Sequence, residues 1–158
     1  MKKENIKTNA IRILDKEKIT YQIHEYDSTC TDGVSVASLV GKDPSKVFKT
    51  LVTEDGKSNH FVFCIPVNKT LNLKKAALAV KVKSISMIPQ KELLPLTGYI
   101  HGGCSPIGMK KEFMTMIDES ALNFDTICVS GGKVGVQIEL SPLDLIKYLN
   151  CKIDSLTE

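Results

Sequence analysis

The sequence has mixed α/β content and predicts an α+β fold, in which a mixed, mainly antiparallel sheet is flanked by helices. Strand-like and helix-like segments interleave without the regular β-α-β rhythm of a doubly wound parallel sheet. Several strand segments follow one another through short turns, as hairpins do. With 158 residues, 42% of them hydrophobic, the chain can bury a core, and we expect one domain over residues 1–158.

The N-terminal third predicts two helices and one strand. Residues 5–18 place apolar side chains at helical spacing, whereas residues 21–26 alternate as a strand does. Asp32 is a residue type that caps helices, and the short helix it begins is expected to stop at Gly41. Pro44 suits the first position of a further helical turn.

The middle of the chain predicts a hairpin followed by a helix. Residues 47–52 and 61–67 are strongly apolar and β-branched, and the turn-forming residues 54–57 lie between them. Asn72 is placed to cap a helix that carries apolar residues over 73–78.

The C-terminal half predicts a short helix, a second hairpin and a last helix. Pro89 can open the short helix. Residues 127–129 and 134–140 resemble strands on either side of a Gly-Gly turn. Ser141, followed by a proline, begins the last helix.

The charge and composition argue against several functional classes. The net charge of +3 permits contact with nucleic acid but is far from that of a strongly basic binding domain. Aromatic residues make up 6% of the chain and tryptophan is absent, so a stacking platform for single strands is poorly supported. Residues 1–5 lead into an amphipathic segment without the apolar stretch and cleavage site of a signal peptide, so we expect none there. No apolar run approaches membrane-spanning length. We therefore expect no membrane association.

The cysteines predict neither a metal site nor a disulfide framework. They are odd in number and scattered, with no C-x-x-C pair. Free thiols in a reducing cytoplasm are the simplest interpretation, and we expect no metal and no cofactor. The five cysteines are Cys30, Cys64, Cys104, Cys128 and Cys151.

Two glycine-rich loops are the most informative local features. Residues 97–108 contain four glycines and a proline, and residues 130–133 repeat the pattern between two apolar runs. Backbone N–H groups in such loops can hold an oxyanion, a carbonyl or a phosphate. A plain tight turn is the alternative for each loop.

An ordered set of segments containing these loops resembles the YbaK/EbsC family of free-standing aminoacyl-tRNA editing proteins. This family is related to the editing insertion of bacterial prolyl-tRNA synthetase. The segments follow the family's order and cover nearly the whole chain. They are Lys7-Thr8-Asn9-Ala10, Arg12-Ile13-Leu14, Val47-Phe48-Lys49-Thr50-Leu51, Leu73-Lys74-Lys75, Thr97-Gly98-Tyr99, Gly102-Gly103, Ser105-Pro106-Ile107-Gly108, Ser130-Gly131-Gly132 and Ile138-Glu139-Leu140.

The resemblance, which is greatest to the YbaK group, implies a β-barrel-like sheet and a trans-editing deacylase. The implied substrate is mischarged Cys-tRNA(Pro), with Cys-tRNA(Cys) as a further candidate and prolyl-tRNA synthetase as a candidate partner. In the family mechanism the substrate's own thiol attacks the ester. A deacylase for Ala- or Ser-mischarged tRNA is the enzymatic alternative. A nucleotide- or tRNA-binding regulator without turnover is the non-enzymatic one.

Lys49 is the leading candidate for the site. Strand alternation places it between Val47 and Leu51 on one face, where a lysine is either exposed to solvent or a cation in a cleft. The resemblance favours the cleft, because the lysine at this motif position binds the aminoacyl-adenosine end of tRNA in the family. Thr50 is implied as a neighbouring pocket residue.

The resemblance also implies the remaining site residues. Gly102 and Gly103 would supply catalytic backbone donors around the scissile ester, by oxyanion-hole logic. The implied substrate-binding residues are Tyr21, Thr50, Ser105, Pro106, Ser130, Gly131, Gly132 and Gln137. For Tyr21, a half-buried strand aromatic is an equally good interpretation.

Three reactive side chains are interpreted as structural. His24 and His101 are general bases by residue type, but the sequence arranges no carboxylate or serine with either. Cys104 lies in the glycine loop, yet a nucleophilic cysteine needs a base or a positive environment, and the family's chemistry does not use one.

The segment before Ile138 departs from some relatives, which carry Arg-Gly-x-Asp there. This chain has Val134 in place of the arginine and Gln137 in place of an aspartate that can bind a substrate ammonium group. The amino-acid specificity of those relatives therefore does not transfer directly.

Overall fold

The computed structural model describes residues 7–158, which form a mixed α+β fold of five α-helices and eight strands. The start of the first predicted helix, with Ile6, and the N-terminal residues 1–5 lie outside the described range. The helices are α1 (Asn9–Lys16), α2 (Gly33–Leu39), α3 (Leu73–Val80), α4 (Leu93–Thr97) and α5 (Pro142–Leu149). The strands are β1 (Tyr21–Glu25), β2 (Phe48–Glu54), β3 (His60–Pro66), β4 (Ser86–Met87), β5 (Met114–Asp118), β6 (Ile127–Ser130), β7 (Val136–Leu140) and β8 (Lys152–Asp154).

The helix starts follow the predicted capping residues. Asp32, Asn72 and Ser141 each accept hydrogen bonds from backbone N–H groups in the first turn of α2, α3 and α5. Thr8 caps α1 in the same way. Asp43 caps the single 3₁₀ turn that follows α2. Side-chain acceptors satisfy amides that have no partner within a helix, so these local signals determined where the helices begin.

The strands form two sheets rather than one. The first has the order β1-β7-β6 and is antiparallel throughout. The second has the order β4-β2-β3-β5-β8, with antiparallel pairs around β2 and parallel pairs on both sides of β5. The predicted mixed, mainly antiparallel arrangement is confirmed.

A single parallel bridge between Val47 and Cys128 joins the two sheets. Because ladder pairing between β2 and β6 is limited to this bridge, the strands of residues 7–158 do not close into a barrel. The barrel-like sheet implied by the resemblance therefore takes the form of two open sheets that meet at one edge.

Two apolar clusters bury the second sheet on both faces. The larger packs α1 and α5 against both sheets, with fully buried members such as Leu14, Ile117 and Leu145. The smaller packs α3 against the opposite face of β3 and β5, around Phe63 and Met116. A strand covered on both faces reads as a continuous apolar run, which is why β3 was predicted from composition without clean alternation.

Strands β4, β5 and β8 were not predicted. They have two, five and three residues, and β5 and β8 are stabilised by parallel pairing with distant segments. Strand β7 starts two residues later than predicted, because Gly135 has φ +98° and forms a turn. None of the described helices has both the length and the hydropathy needed to cross a bilayer.

Candidate active site

A cleft of about 280 Å³ opens where the two sheets meet. Its walls come from β2, the start of α2, the ends of β6 and β7, and the glycine loop after α4. The apolar part includes Val36, Val47, Phe48 and Val67. The polar side chains lining it are Tyr26, Thr31, Asp32, Lys49, Thr50, His101, Ser130 and Gln137.

The structure brings five of the predicted site residues together and leaves six outside the cleft. Lys49, Thr50, Gly102, Ser130 and Gln137 line it. The six predicted residues that do not line it are Tyr21, Gly103, Ser105, Pro106, Gly131 and Gly132.

Lys49 contributes the only ammonium group on the cleft wall described here. Among residues 7–158, no carboxylate oxygen lies within 4.0 Å of its Nζ atom, so it is free to meet a ligand. Partial burial lowers the pKa of Lys49 below its usual value of 10.5, while the charge of Asp32 opposes the shift. A half-buried cation without a partner attracts negative charge that develops in the cleft.

The backbone amides of the two glycine loops are not all available as oxyanion donors. Gly103 donates its N–H to the carbonyl oxygen of Ile100 at 2.9 Å. Within the described chain, the N–H of Gly102 donates to no acceptor, and Gly102 itself lines the cleft with φ +84°. The expected pair of donors from Gly102 and Gly103 is thereby reduced to Gly102, because the turn itself uses the second amide.

The loop after β6 likewise uses its own amides. Gly131 donates to the carbonyl oxygen of Val136 at 2.8 Å, and Gly132 donates to the Ser130 hydroxyl at 3.2 Å. A Cβ atom on Gly131 would lie 2.6 Å from a methyl carbon of Val136. These glycines are therefore required by the close turn between β6 and β7. Of Ser130, Gly131 and Gly132, only Ser130 lines the cleft.

Three of the predicted site residues lie away from the cleft and contact other parts of the protein: Tyr21, Ser105 and Pro106. The Tyr21 hydroxyl donates to Asp15 at 2.7 Å, and its ring packs against the larger core cluster. The Ser105 hydroxyl is fully buried and accepts from the amide of Ile107. Pro106 lines a separate groove beside α1 and α5. Burial and local turn bonding thus direct these side chains away from the cleft.

Sequence reasoning missed three polar residues on the cleft wall, which are Tyr26, Thr31 and Asp32, and it interpreted His101, which also lines the cleft, as structural. Asp32 was identified only as a helix cap, and Tyr26 only as the end of a strand. The Tyr26 hydroxyl and the Gln137 Oε1 atom are both buried, and neither has a hydrogen-bond partner among residues 7–158. The predicted alternation of residues 21–26 included Tyr26, whereas nothing local indicated that Asp32 lines the cleft.

Glu139 organises a charged cluster next to the cleft. Its carboxylate contacts Lys42 Nζ at 3.0 Å, Lys46 Nζ at 3.4 Å and His24 Nε2 at 2.8 Å, and it accepts from the Thr126 hydroxyl. The expectation that no carboxylate accompanies His24 is therefore wrong. Because Glu139 holds the chain after α2 against β7, it links two walls of the cleft.

The same cluster contains the one group of metal-ligating atoms found in residues 7–158. Each of the residues His24, Cys128 and Glu139 offers one ligand atom, and these three atoms lie within 4.8 Å of one another. Two lysine ammonium groups already contact the carboxylate, and they would repel a bound cation. The arrangement fits an ion-pair network better than a metal centre.

Glu139 gives a prediction about stability and pH. Burial raises the pKa of Glu139, but hydrogen bonds from Thr126, His24 and Lys42 outweigh this effect and lower it from 4.5 to about 2. A lowered pKa stabilises the fold above the unfolded-state value, and that contribution is lost as the pH falls through about 2. We expect Glu139→Gln to reduce the free energy of unfolding at pH 7 by roughly 1–3 kcal/mol.

The measurement is chemical denaturation of both proteins between pH 7 and pH 2. The difference between wild type and Glu139→Gln should be largest near neutrality and shrink below about pH 4.5. The exposed Glu25→Gln change on β1 is the control and should show little difference at any pH. A constant difference over this range would contradict the ion-pair account.

Cys104 lines the cleft but lacks the surroundings of a nucleophile. Burial raises the pKa of its thiol to about 12, so it is protonated at neutral pH. We expect Cys104→Ala to keep the deacylation that the resemblance implies within about tenfold of wild type, whereas losing a true nucleophile costs on the order of 10⁶. Cys151→Ala, which alters a half-buried thiol in the larger core cluster, controls for lost packing. A collapse of activity in a folded Cys104→Ala protein alone would show that the thiol reacts.

The sequence matches proteins that edit aminoacyl-tRNA. The family model described as an aminoacyl-tRNA editing domain matches residues 28–148. A relative from Enterococcus faecalis, provisionally named Cys-tRNA(Pro)/Cys-tRNA(Cys) deacylase EbsC, is 42% identical over 158 residues, which is 99% of this chain and 96% of that protein. The chain belongs to the aminoacyl-tRNA editing domain family.

Two solved structures share the fold. The crystal structure of the hypothetical protein APE2540 has a TM-score of 0.88 and 21% identity, covering 95% of this chain and 99% of that one. A protein provisionally described as a trans-editing enzyme for prolyl-tRNA synthetase has a TM-score of 0.84 and 21% identity, covering 98% and 99%. At this identity the two structures support the fold.

Proposed function

We propose that the protein is a trans-editing deacylase that cleaves the ester of mischarged Cys-tRNA(Pro), and also of Cys-tRNA(Cys). The relative that is 42% identical over almost the whole chain bears this activity in its name. The observation in the cleft that supports the proposal best is that the same cleft is lined by Lys49, whose ammonium group is unpaired among residues 7–158, and by Gly102, whose amide is unused there. Both groups are donors suited to an ester oxygen that becomes negative.

The cleft contains no assembled nucleophile and base. His101, Cys104 and Ser130 all line it, yet in the described part of the chain no hydrogen bond joins any two of them. A serine or cysteine nucleophile requires a base within hydrogen-bond reach. We therefore propose that the protein supplies positioning and charge stabilisation, and that the reacting group comes from the substrate.

The substrate thiol supplies that group in the proposed mechanism. The cysteinyl sulfur attacks its own carbonyl carbon, forming a carbon–sulfur bond and a four-membered thiolactone. The ester bond to the terminal ribose breaks, and the thiol proton passes to the departing ribose oxygen. Lys49 and Gly102 stabilise the oxyanion formed in between, and the cleft walls hold sulfur and carbonyl in attack geometry.

Comparing three substrates tests the proposal against its alternatives. Release of amino acid is measured from purified tRNA(Pro) charged with cysteine, alanine or serine, with and without the protein. Cleavage of Cys-tRNA(Pro) alone supports the proposal, and preferential cleavage of the alanyl or seryl form supports the related deacylase. Tight binding of all three without turnover identifies a tRNA-binding regulator.

The same proposal implies a substrate, a protein partner and a cellular compartment for this protein. The substrate is the 3′ aminoacyl-adenosine end of tRNA, and prolyl-tRNA synthetase, which makes the mischarged product, is the proposed protein partner. Because these components act in translation, we place the protein in the cytoplasm. We also treat residues 1–158 as a single editing domain, which the family match over residues 28–148 supports.

A further inference from the structure

One carboxylate oxygen of Asp32 takes no part in capping α2. The backbone N–H and the hydroxyl of Ser35 both donate to Oδ2, at 3.1 and 2.8 Å. Oδ1 accepts no hydrogen bond from residues 7–158, and no cationic nitrogen there lies within 4.0 Å of Asp32. The hydrogen bonds from Ser35, with a smaller effect of Lys49, lower the pKa of Asp32, so the carboxylate is ionised at neutral pH.

Asp32 and Lys49 thus present opposite charges to one cleft without forming an ion pair. Both residues line the cleft, but their charged atoms do not approach within 4.0 Å of each other. Asp32 is the single carboxylate among the residues described as lining the cleft. A ligand that carries a cation next to a polarised oxygen would satisfy both charges at once.

Two buried polar atoms on the same wall point to a ligand independently. Gln137 has an exposed fraction of 6%, and its Oε1 atom has no donor among residues 7–158. The buried Tyr26 hydroxyl is equally without a partner, and Tyr26 lies beside β7 because its amide donates to Gly135. A buried polar group left unpaired costs about 1–3 kcal/mol, so a ligand that pairs it gains binding energy.

We propose that Asp32 binds the α-ammonium group of the aminoacyl substrate, with Gln137 Oε1 accepting a second hydrogen bond from it; this rests on the proposed function. An aminoacyl ester carries its ammonium group on the carbon next to the carbonyl. The ammonium group therefore lies toward Asp32 when the carbonyl oxygen faces Lys49 and Gly102. An ammonium group has three donors, which suits a carboxylate, an amide oxygen and the Tyr26 hydroxyl.

Replacing Asp32 with asparagine separates the charge from the helix cap. Asparagine caps helices as well as aspartate does, so Asp32→Asn keeps the bonds to Ser35 and removes only the negative charge. Asp43→Asn is the matched control, because Asp43 caps the next helical turn through Ser45 in the same way and does not line the cleft. Ser35→Ala weakens the cap of α2 while leaving the Asp32 charge in place.

The readout is binding of two stable analogues by calorimetry. One is adenosine carrying alanine through an amide at the 3′ position, and the other is its propionyl counterpart, which lacks the amine. We expect wild type to bind the amine-bearing analogue roughly tenfold more tightly than the propionyl analogue. This difference is at the lower end for a charge-assisted hydrogen bond, because Asp32 is exposed. Asp32→Asn should lose most of this preference, while Asp43→Asn and Ser35→Ala keep it.

Failure of this inference is distinguishable from failure of the proposed function. If Asp32→Asn keeps the full wild-type preference, or wild type shows none, Asp32 is not the ammonium partner, whatever the enzyme cleaves. If wild type prefers the amine-bearing analogue and Asp32→Asn does not, the inference is supported. In that case an absence of turnover on charged tRNA refutes only the deacylase proposal.

Discussion

Replacing Lys49 with alanine is expected to abolish deacylation while leaving the protein folded. In the proposed mechanism the change removes the unpaired cation that faces the ester oxygen, and loss of one oxyanion donor costs roughly 10²–10³-fold in kcat. Burial disfavours the charged form of Lys49, so alanine should not lower the free energy of unfolding. Single-turnover cleavage of Cys-tRNA(Pro) and urea denaturation measure the two effects.

Lys57→Ala is the control for this experiment, because Lys57 is an exposed lysine in the turn after β2. It should leave both activity and stability unchanged. Normal turnover by Lys49→Ala would remove Lys49 from the mechanism. Loss of cooperative unfolding would instead show that the lysine is needed for the fold. Activity should also fall at high pH, starting below the usual lysine pKa of 10.5, because only the protonated form attracts the oxyanion.

Blocking the substrate thiol is expected to stop the reaction. Free cysteine has a pKa of about 8.5, so a few per cent is thiolate at pH 7, whereas the serine hydroxyl is essentially un-ionised. Cys-tRNA(Pro) should therefore be cleaved far faster than Ser-tRNA(Pro), and S-methyl-Cys-tRNA(Pro) should decay only at its spontaneous rate. Holding sulfur and carbonyl together provides the catalytic gain, and that gain is absent when sulfur carries a methyl group.

The control for this prediction is the affinity of the protein for the S-methylated substrate. S-methyl-Cys-tRNA(Pro) should still bind, because the adenosine end and the α-ammonium group are unchanged. Trapping a thiolactone during turnover of Cys-tRNA(Pro) would support the mechanism directly. Cleavage of the S-methyl substrate at the normal rate would refute it, and an enzyme-activated water would then have to carry the reaction.

Much of the fold could be predicted because its signals are local. A cap such as Asn72 acts on amides two or three residues away, and the turn after residue 54 joins two strands that are neighbours in the chain. Strands β5 and β8 were missed for the opposite reason. Their parallel partners are remote in sequence, so the pairing that stabilises them leaves little trace in their own residues.

The sequence by itself determined which residues are able to form a site. It placed Lys49 and Thr50 on a strand and identified two glycine loops, and the order of these motifs identified the family. The sequence alone did not show which loop amide is free. Gly102 and Gly103 are adjacent and chemically identical, yet the turn that begins at Ile100 uses the N–H of Gly103, whereas that of Gly102 donates to no acceptor among residues 7–158.

Only the tertiary structure decided what meets Lys49 and what holds the cleft walls together. Asp32 lines the cleft because α2 packs through Ala37 against Val47, Val67 and Cys128. Gln137 lines the same cleft because the two sheets meet there. The pair Lys46–Glu139 joins residues that are 93 positions apart. Such contacts depend on how whole elements pack, and packing is a property of the folded chain that no short window of sequence contains.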